Sequence, residues 1–380
     1  MKLKLIWMPL VCLILGALIG SILTFSVPVL YAKYLSIAVL AALDSLLGGI
    51  RAILEHSFDG TIMLSGFFTN ALLAAALAFL GDQIGVDLYL AAVFAFGLRL
   101  FNNLGYIRRY IVNNIRKNRI AKKQLKKQGL NVQVTMYDQL GSLYSDQPDY
   151  SDPKIAKKYL TYEYFLDEVD EVRSKLGLDN FYLIGQSWGG LLVQEYAVKY
   201  GQHLKGAIIS SMVDEIDDYV KAVNRRRQEV LPQTEIDFMH KCEKENNYDN
   251  QRYQDDVHIL NINFVDRRQP SKLYHLKDIG GNAVYNAFQG DNEFVITGKL
   301  KDWHFRKQLK NIKVPTLLTF GEHETMPIST AKIMQKEIPN SRLVTTPDGG
   351  HHHMVDNPAV YYKHLADFIR QVENGTFKGE

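Results

Sequence analysis

The chain has few cysteines and almost no net charge, and these two scarcities exclude several classes of protein. Its 380 residues include two cysteines. Cys12 lies in an apolar run and Cys242 in a charged stretch, so we expect no structural disulfide between them. Lys and Arg number 44 against 41 Asp and Glu, which gives a formal net charge of +3. With 47% hydrophobic and 22% charged residues, the composition excludes collagen-like, disulfide-scaffold and wholly disordered chains.

The charges are unevenly distributed along the chain. Residues 1–107 hold five basic and five acidic residues, whereas residues 108–127 hold nine basic residues and no acidic one. Residues 128–380 hold thirty basic and thirty-six acidic residues. We therefore predict three parts: a transmembrane domain over 1–107, a basic juxtamembrane connector over 108–131, and a third domain over 132–380.

Long stretches without charge mark the first part as a membrane domain. Residues 5–32 and 61–81 contain no charged residue, and about 20 apolar residues suffice to cross a bilayer. Two further apolar segments, 34–54 and 88–107, bring the prediction to a bundle of four transmembrane helices. A cleaved signal peptide is the competing interpretation of 5–32, but the apolar run is too long and further spans follow.

Basic residues predict the orientation of this bundle. Lys2 and Lys4 precede the first span, Arg51 ends the second, and the basic segment 108–127 follows the fourth. The loop 82–87 has no basic residue. Because cytoplasmic loops carry the excess of Lys and Arg, we predict a multi-pass protein of the cell membrane with residues 108–380 in the cytosol.

Two charged residues, Asp44 and Arg99, lie inside predicted spans. A lone charge at that depth costs several kcal/mol, so we expect the two side chains to pair or to share a polar site between helices. The alternative is that Arg99 extends to the membrane surface.

The segment 108–127 predicts contact with anionic lipid. Each basic residue beside a membrane contributes about 1 kcal/mol of attraction. Nucleic acid is the rival partner for a basic run, but Tyr110 is the only aromatic residue in the segment. We therefore expect membrane lipid as a partner and no nucleic acid.

The membrane part resembles the small basic membrane protein family of Gram-positive bacteria. The resemblance covers about residues 5–117. It rests on the stretches Tyr34–Asp44, Gly48–Arg51, Gly85–Ala92 and Arg99–Phe101.

From residue 132 onward, short apolar strands alternate with amphipathic helices. The predicted strands are Val132–Tyr137, Phe181–Ile184, Gly206–Ser210, Val314–Phe320 and Leu343–Thr345. The predicted helices are Tyr162–Leu176, Leu191–Tyr200, Ser329–Ile338 and Ala359–Val372. This alternation indicates a parallel sheet with helices on both faces. The long polar block at about 213–300 is then an insertion that forms a cap.

The motif Gly185-Gln186-Ser187-Trp188-Gly189 indicates a nucleophilic serine. It follows an apolar strand and precedes an amphipathic helix, which is the setting of a nucleophile elbow. The sharp turn lifts the Ser187 hydroxyl above the sheet, and we expect a side chain at Gly185 or Gly189 to clash there. The start of the helix turns backbone N–H groups toward the reaction centre.

A serine nucleophile needs a base and an acid that orients the base. In this fold they follow in the order serine, acid, histidine. Glu324 follows the strand 314–320, with Glu322 as the second choice, and His351 follows the last strand. Three histidines in a row could suggest a metal, but adjacent residues rarely bind one ion together. We expect neither a metal nor a cofactor.

The part from 132 to 380 resembles the proline iminopeptidase family of α/β-hydrolases. The resemblance rests on Met136–Gly141 with Ser145-Asp146, Gly185–Gly190, Asn292–Phe294, Lys301–Trp303 and the segment at His351. It implies release of N-terminal proline from peptides through an acyl-enzyme on Ser187. It also implies that the Trp188 N–H stabilises the oxyanion and that Glu293, in the cap, binds the free amine of the substrate.

Two departures from that family bear on activity. Glu324 stands where the family usually has aspartate, and no H-G-G-P-G loop, which supplies the second oxyanion donor, occurs in the sequence. We therefore expect an α/β-hydrolase that lacks its first strands and has impaired activity. Two alternatives stay open: a membrane protein of the small basic type with an inactive hydrolase remnant, and a carboxylesterase.

Overall fold

A computed structural model describes residues 29–54, 58–142, 145–268 and 282–379. The chain forms two compact units. A helical unit comprises Met1–Asn118 with Tyr144–Asp146, and a sheet unit comprises Arg119–Leu143 with Gln147–Glu380. Residues 5–28 of the first predicted span lie outside the described residues.

The described part of the helical unit consists of long apolar helices. They are α1 (Val29–Leu54), α2 (Gly60–Ile84) and α3 (Tyr89–Lys127). Each contains a stretch long and apolar enough to cross a membrane, and these stretches are Lys33–Ile53, Gly60–Ile84 and Tyr89–Arg109. They coincide with three of the four predicted spans. Helix α3 also continues through the whole basic segment, so residues 108–127 are helical.

Small residues lie between these helices and large apolar residues point outward. Ala41, Ala74 and Ala78 are buried, whereas Leu72 and Phe101 are about three-quarters exposed. This distribution suits a helical protein in lipid, where small side chains allow close helix packing.

The predicted pairing of Asp44 with Arg99 is confirmed. Arg99 Nη2 on α3 lies 2.9 Å from Asp44 Oδ2 on α1. The carboxylate is fully buried, whereas the arginine side chain is 57% exposed. The cation therefore neutralises a charge that has no access to solvent.

The sheet unit is built on four parallel strands. They are β1 (Phe181–Gln186), β2 (Leu204–Ser210), β3 (Thr316–Gly321) and β4 (Ser341–Thr346), adjacent in that order. Each strand lies within two residues of its predicted ends. The remaining helices of the unit are α4 (Pro153–Tyr159), α5 (Tyr162–Lys175), α6 (Trp188–Lys199), α7 (Ile216–Val230), α8 (Gln233–Lys244), α9 (Gln251–Leu260), α10 (Asn282–Phe288), α11 (Ile328–Glu337), α12 (His353–Asp356) and α13 (Pro358–Glu373).

Alternate residues of the central strands are buried on opposite faces of the sheet. Ile209 and Leu318 pack in the larger core, while Ile208 and Leu317 pack with α13. This follows from the two-residue period of a strand. The predicted parallel sheet covered on both faces is confirmed.

The predicted strand Val132–Tyr137 is wrong. The segment has no regular secondary structure. Val132 and Val134 instead pack, half-buried, in the cluster around α13, together with Tyr182. Their alternation correctly indicates an extended, half-buried backbone, but a strand also needs the hydrogen bonds of a neighbouring strand. Within the described residues, β1 has a strand partner on one side only.

The predicted cap lies between β2 and β3. Helices α7 to α10 and a π-helical turn, Asn261–Val265, occupy it. A buried ion pair stabilises its interior: Arg227 Nη2 lies 2.6 Å from Glu243 Oε1 and donates to the carbonyl of Phe294 at 3.0 Å. That contact holds the backbone next to Glu293.

Candidate active site

Ser187 lies in the turn between β1 and α6. Its backbone has φ 53° and ψ −119°, a conformation that costs a non-glycine residue about 1–3 kcal/mol. The turn is held because Ser187 N–H donates to the carbonyl of Ser210 at 2.9 Å. Helix α6 begins at Trp188, so the N–H of Trp188 belongs to the first helical turn, whose donors have no partner within the helix.

The glycines of this turn differ in whether the surrounding atoms leave room for a side chain. A Cβ on Gly185 would lie 2.0 Å from the carbonyl oxygen of Gly189, so Gly185 cannot carry a side chain. A Cβ on Gly189 would meet nothing within 4 Å. The expectation of a clash at Gly189 is therefore wrong. The second tight position is Gly190, where a Cβ would lie 2.7 Å from Met212 Cβ.

Backbone hydrogen bonds from three directions fix His351. Its N–H donates to the carbonyl of Phe264 in the cap at 2.8 Å. Its carbonyl accepts from Nε2 of Gln186, the neighbour of Ser187, at 2.6 Å. The preceding Gly350 N–H donates to Asp356 Oδ2 at 2.8 Å. The loop of His351 is thus tied to the cap, to β1 and to α12.

Glu324 is the carboxylate that contacts the ring of His351 at Nδ1. Its Oε2 lies 3.2 Å from that nitrogen, and its Oε1 accepts from Ser211 Oγ at 3.0 Å. Glu324 and His351 are each 1% exposed. Glu322, the second choice, is exposed and accepts from the N–H of Asp348 at 3.0 Å.

Glu293 reaches the other edge of the same imidazole. Its Oε1 lies 3.4 Å from His351 Nε2. Two phenols hold Glu293: the Tyr219 hydroxyl lies 3.0 Å from Oε1 and also contacts the backbone carbonyl of Glu293, and Tyr285 donates to Oε2 at 3.2 Å. Burial raises the pKa of both phenols, so they remain neutral donors.

The electrostatics of the site favour a charged imidazole. Burial lowers the pKa of His351, but the nearby carboxylates of Glu293 and Glu324 outweigh burial, so its pKa lies above the ordinary value of 6.5. Burial raises the pKa of Glu324, and the hydrogen bond from His351 opposes this rise. Within the described residues, His351 Nε2 has no hydrogen-bond partner, Ser187 included.

An aromatic group lies beside the nucleophile. The ring of Trp188 lies 4.6 Å from that of Phe288, and Tyr162 and Phe165 pack against both. The Trp188 indole donates to Gln139 Oε1 at 3.1 Å. These contacts form an apolar wall next to Ser187, with Phe288 lying five residues before Glu293.

The three consecutive histidines have separate partners. His351 contacts Glu324, His352 lies 2.8 Å from Asp266, and His353 is buried against Ser210 and Thr346. Burial lowers the pKa of His353 to about 3. They therefore do not converge on one ion. On the surface, Glu322, His323 and Asp348 each bring one possible ligand atom within 4.8 Å of one another.

Several residues of the site carry no signal in the sequence. Tyr219 and Tyr285 precede Glu293 by 74 and 8 residues and are ordinary tyrosines in polar helices. In the sequence, nothing distinguishes Asp356 from an ordinary acidic residue of a helix. Gln186 lies inside the serine motif but at a position where the motif accepts any residue, so only its contact with His351 distinguishes it.

Comparisons with known proteins assign both parts of the chain. A family model described as the alpha/beta hydrolase fold matches residues 112–358. A second, described as a protein of unknown function (DUF1290), matches residues 27–112. The first match covers more than half of the chain.

The curated relatives also match the two parts of the chain separately. The chain is 31% identical over 246 residues to a proline iminopeptidase of Flavobacterium johnsoniae, covering 63% of this chain and 80% of that protein. It is 34% identical over 249 residues to one of Saccharolobus solfataricus, covering 63% and 77%. It is 52% identical over 120 residues to the small basic protein of Bacillus subtilis, covering 32% and 97%.

Solved structures share the fold of the sheet unit. The crystal structure of VinJ matches with a TM-score of 0.61 at 24% identity, covering 67% of this chain and 85% of that chain. A proline iminopeptidase of Mycobacterium smegmatis matches with a TM-score of 0.52 at 24% identity, covering 57% and 74%. The predicted α/β-hydrolase fold with a parallel sheet, preceded by a region of apolar helices, is confirmed. The chain belongs to the proline iminopeptidase family of α/β-hydrolases, joined to an amino-terminal region of the small basic protein family.

Proposed function

We propose that this chain is a membrane-bound serine aminopeptidase that releases N-terminal proline from peptides. The observation that carries the proposal is the placement of Glu293. Its Oε1 lies 3.4 Å from His351 Nε2, the nitrogen that must take the proton of Ser187. An anion there selects a substrate whose cationic amine lies close to the scissile carbonyl, as in a peptide with a free N-terminus.

Each residue of the site has a role in the proposed reaction. Ser187 Oγ attacks the carbonyl carbon of the N-terminal residue while His351 Nε2 takes its proton. Glu324 holds the imidazole through Nδ1, and the N–H of Trp188 stabilises the oxyanion. Collapse of the tetrahedral intermediate expels the amine of the next residue, which receives the proton from His351. Water then attacks the acyl-enzyme in the same way and frees proline and Ser187.

A single identified oxyanion donor limits the expected rate. Loss of one such donor typically lowers kcat about 10²–10³-fold, and the sequence contains no H-G-G-P-G loop. We therefore expect slow turnover. The proposed domains remain 1–107 in the membrane, 108–131 as connector and 132–380 as hydrolase with a cap over about 213–300, the hydrolase facing the cytosol.

The test is hydrolysis by the full-length protein in detergent. We expect turnover of L-proline arylamide to exceed turnover of a short acyl ester, and Ser187→Ala to abolish it. Ser329→Ala is the matched control because Ser329 is exposed at the start of α11. Preference for the ester would favour a carboxylesterase. No turnover of either substrate by the folded protein would favour an inactive remnant.

A further inference from the structure

We propose that Glu293 also gates the catalytic base: in the unliganded protein its carboxylate holds the His351 imidazole in the charged form, and the cationic amine of a substrate releases it. The proposal rests on the proposed function, because it makes the base available only when an amine occupies the site. It concerns the protonation state of His351 before the substrate binds. Binding of the substrate amine to Glu293 does not by itself determine that state.

The first step is the position of Nε2. This nitrogen must accept the proton of Ser187, yet the nearest carboxylate oxygen, Glu293 Oε1, lies 3.4 Å from it. The contact lacks the alignment of a hydrogen bond, and the residues described here offer Nε2 no other partner. The side chain of His351 is 1% exposed. The charge of Glu293 therefore acts on the imidazole with little screening by water.

The second step is the set of charges around the ring. Glu324 faces Nδ1 from the loop after β3, and Glu293 faces Nε2 from the cap. Asp266, also in the cap, adds a weaker attraction, while the ring of His352 lies 5.5 Å away. Arg226, a cation on α7 of the cap, donates to the backbone carbonyl of Glu324. Two carboxylates on one imidazole favour the imidazolium, which cannot act as a base.

The third step is the fixed position of the gate. Each carboxylate oxygen of Glu293 lies within hydrogen-bond distance of one phenol, Tyr219 or Tyr285. A carboxylate has about four acceptor positions, so it can still receive an ammonium group without losing these bonds. When the ammonium binds, it neutralises Glu293, and the pKa of His351 falls. The proton on Nε2 leaves to solvent, and neutral Nε2 can take the proton of Ser187.

This mechanism separates two effects of the substrate amine. Binding alone would lower KM for peptides with a free N-terminus and leave neutral substrates unaffected. Gating predicts in addition that His351 stays protonated near neutral pH when a neutral ester is bound, so that the ester is hydrolysed slowly. Removing the charge of Glu293 should then accelerate ester hydrolysis. Glu293→Gln keeps the size of the side chain, and its amide can accept from one phenol and donate to the oxygen of the other, so it tests the charge.

The experiment is an NMR titration of isotope-labelled histidine in the full-length Ser187→Ala protein, which binds substrate without turnover. We expect Glu293→Gln to lower the pKa of His351, and L-prolinamide to lower it in the protein that retains Glu293. N-acetyl-L-prolinamide, which has no charge, should leave it unchanged. Glu245→Gln is the matched control because Glu245 is an exposed cap residue.

Kinetics on the protein with Ser187 supply the second readout. In Glu293→Gln we expect ester hydrolysis at pH 6.5, the ordinary pKa of histidine, to rise at least about threefold. Hydrolysis of L-proline arylamide should fall about 10²-fold or more, because the ammonium loses its anionic partner. In a protein that hydrolyses the ester, an unchanged or lower ester rate contradicts gating.

Failure of the gate and failure of the proposed function give different results. A His351 pKa that is unaffected by Glu293→Gln and by L-prolinamide overturns the gate, whatever the catalytic rates. Absence of proline arylamide turnover by the parent protein contradicts the proposed function instead, and the His351 titration still decides whether Glu293 controls the imidazole.

Discussion

Two glutamates near the end of β3 have different surroundings, although either could orient a histidine. Glu324 is buried and contacts His351 Nδ1, whereas Glu322 is exposed and accepts a hydrogen bond from the N–H of Asp348. The sequence left this choice open because both residues follow the same strand. The structure separates them by contact, because only Glu324 lies against the imidazole.

Substitution of each glutamate tests their roles. We expect Glu324→Gln to lower kcat for L-proline arylamide by up to about 10⁴-fold, since the amide no longer favours the productive tautomer of His351. Glu322→Gln, of equal size and two residues away, should stay within about twofold of the parent because surface changes rarely propagate. Comparable losses in both variants would contradict Glu324 as the acid.

Gln186 positions His351 through its backbone. Its Nε2 donates to the His351 carbonyl at 2.6 Å, and its Oε1 accepts from Ser210 Oγ. We expect Gln186→Met to lower kcat about fivefold with little change in KM, because one hydrogen bond is worth about 1 kcal/mol. Gln202→Met, at an exposed position, is the control. An equal rise in KM would indicate a general disturbance instead.

At the scale of elements, the elbow before α6 depends on which glycines carry close contacts. Gly190→Ala places a Cβ 2.7 Å from Met212 Cβ, whereas Gly189→Ala meets nothing within 4 Å. We expect Gly190→Ala to lower the free energy of unfolding by about 1–3 kcal/mol. Gly189→Ala should lie between neutral and about 1 kcal/mol more stable. Thermal unfolding of the two variants measures this, and equal destabilisation would contradict the geometry.

The strands of the sheet were easier to predict from the sequence than the contacts that they and the cap make. The strands β1 to β4 lie within two residues of the predicted ends because apolar runs between turn residues are a local signal. Val132–Tyr137 has the same signal but forms no strand, since pairing depends on a partner that the local sequence does not encode. The separate contacts of Tyr219 and Tyr285 with Glu293 likewise form only in the folded cap, so no local sequence pattern predicts them.

The ion pair between α1 and α3 joins two of the long apolar helices. Asp44 is buried and Arg99 is largely exposed, so we expect Asp44 to depend on its partner. In a double-mutant cycle with Asp44→Asn and Arg99→Gln, unfolding in detergent should show a coupling energy of about 1 kcal/mol or more. If the two effects simply add, the pair contributes nothing to the stability of the helices.

At the scale of the whole molecule, charge segregation predicts topology. Two of the nine basic residues of 108–127 end the last apolar stretch of α3 and the other seven follow it, so the proposed orientation places the hydrolase in the cytosol. A Lys244→Cys variant without Cys12 and Cys242 places one thiol at an exposed cap position. An impermeant maleimide should label it in inside-out vesicles and not in intact cells. Labelling in intact cells would contradict this orientation.

The central proposal is that the site recognises the cationic amine of an N-terminal proline through Glu293. The most direct measurement compares L-proline arylamide with its N-acetyl derivative, which differs by loss of that charge, in the full-length protein and in Ser187→Ala. We expect kcat/KM for the free amine to exceed that for the acetylated compound by about 10²-fold or more, and both activities to vanish in Ser187→Ala. Equal hydrolysis of the two compounds would contradict the proposed function.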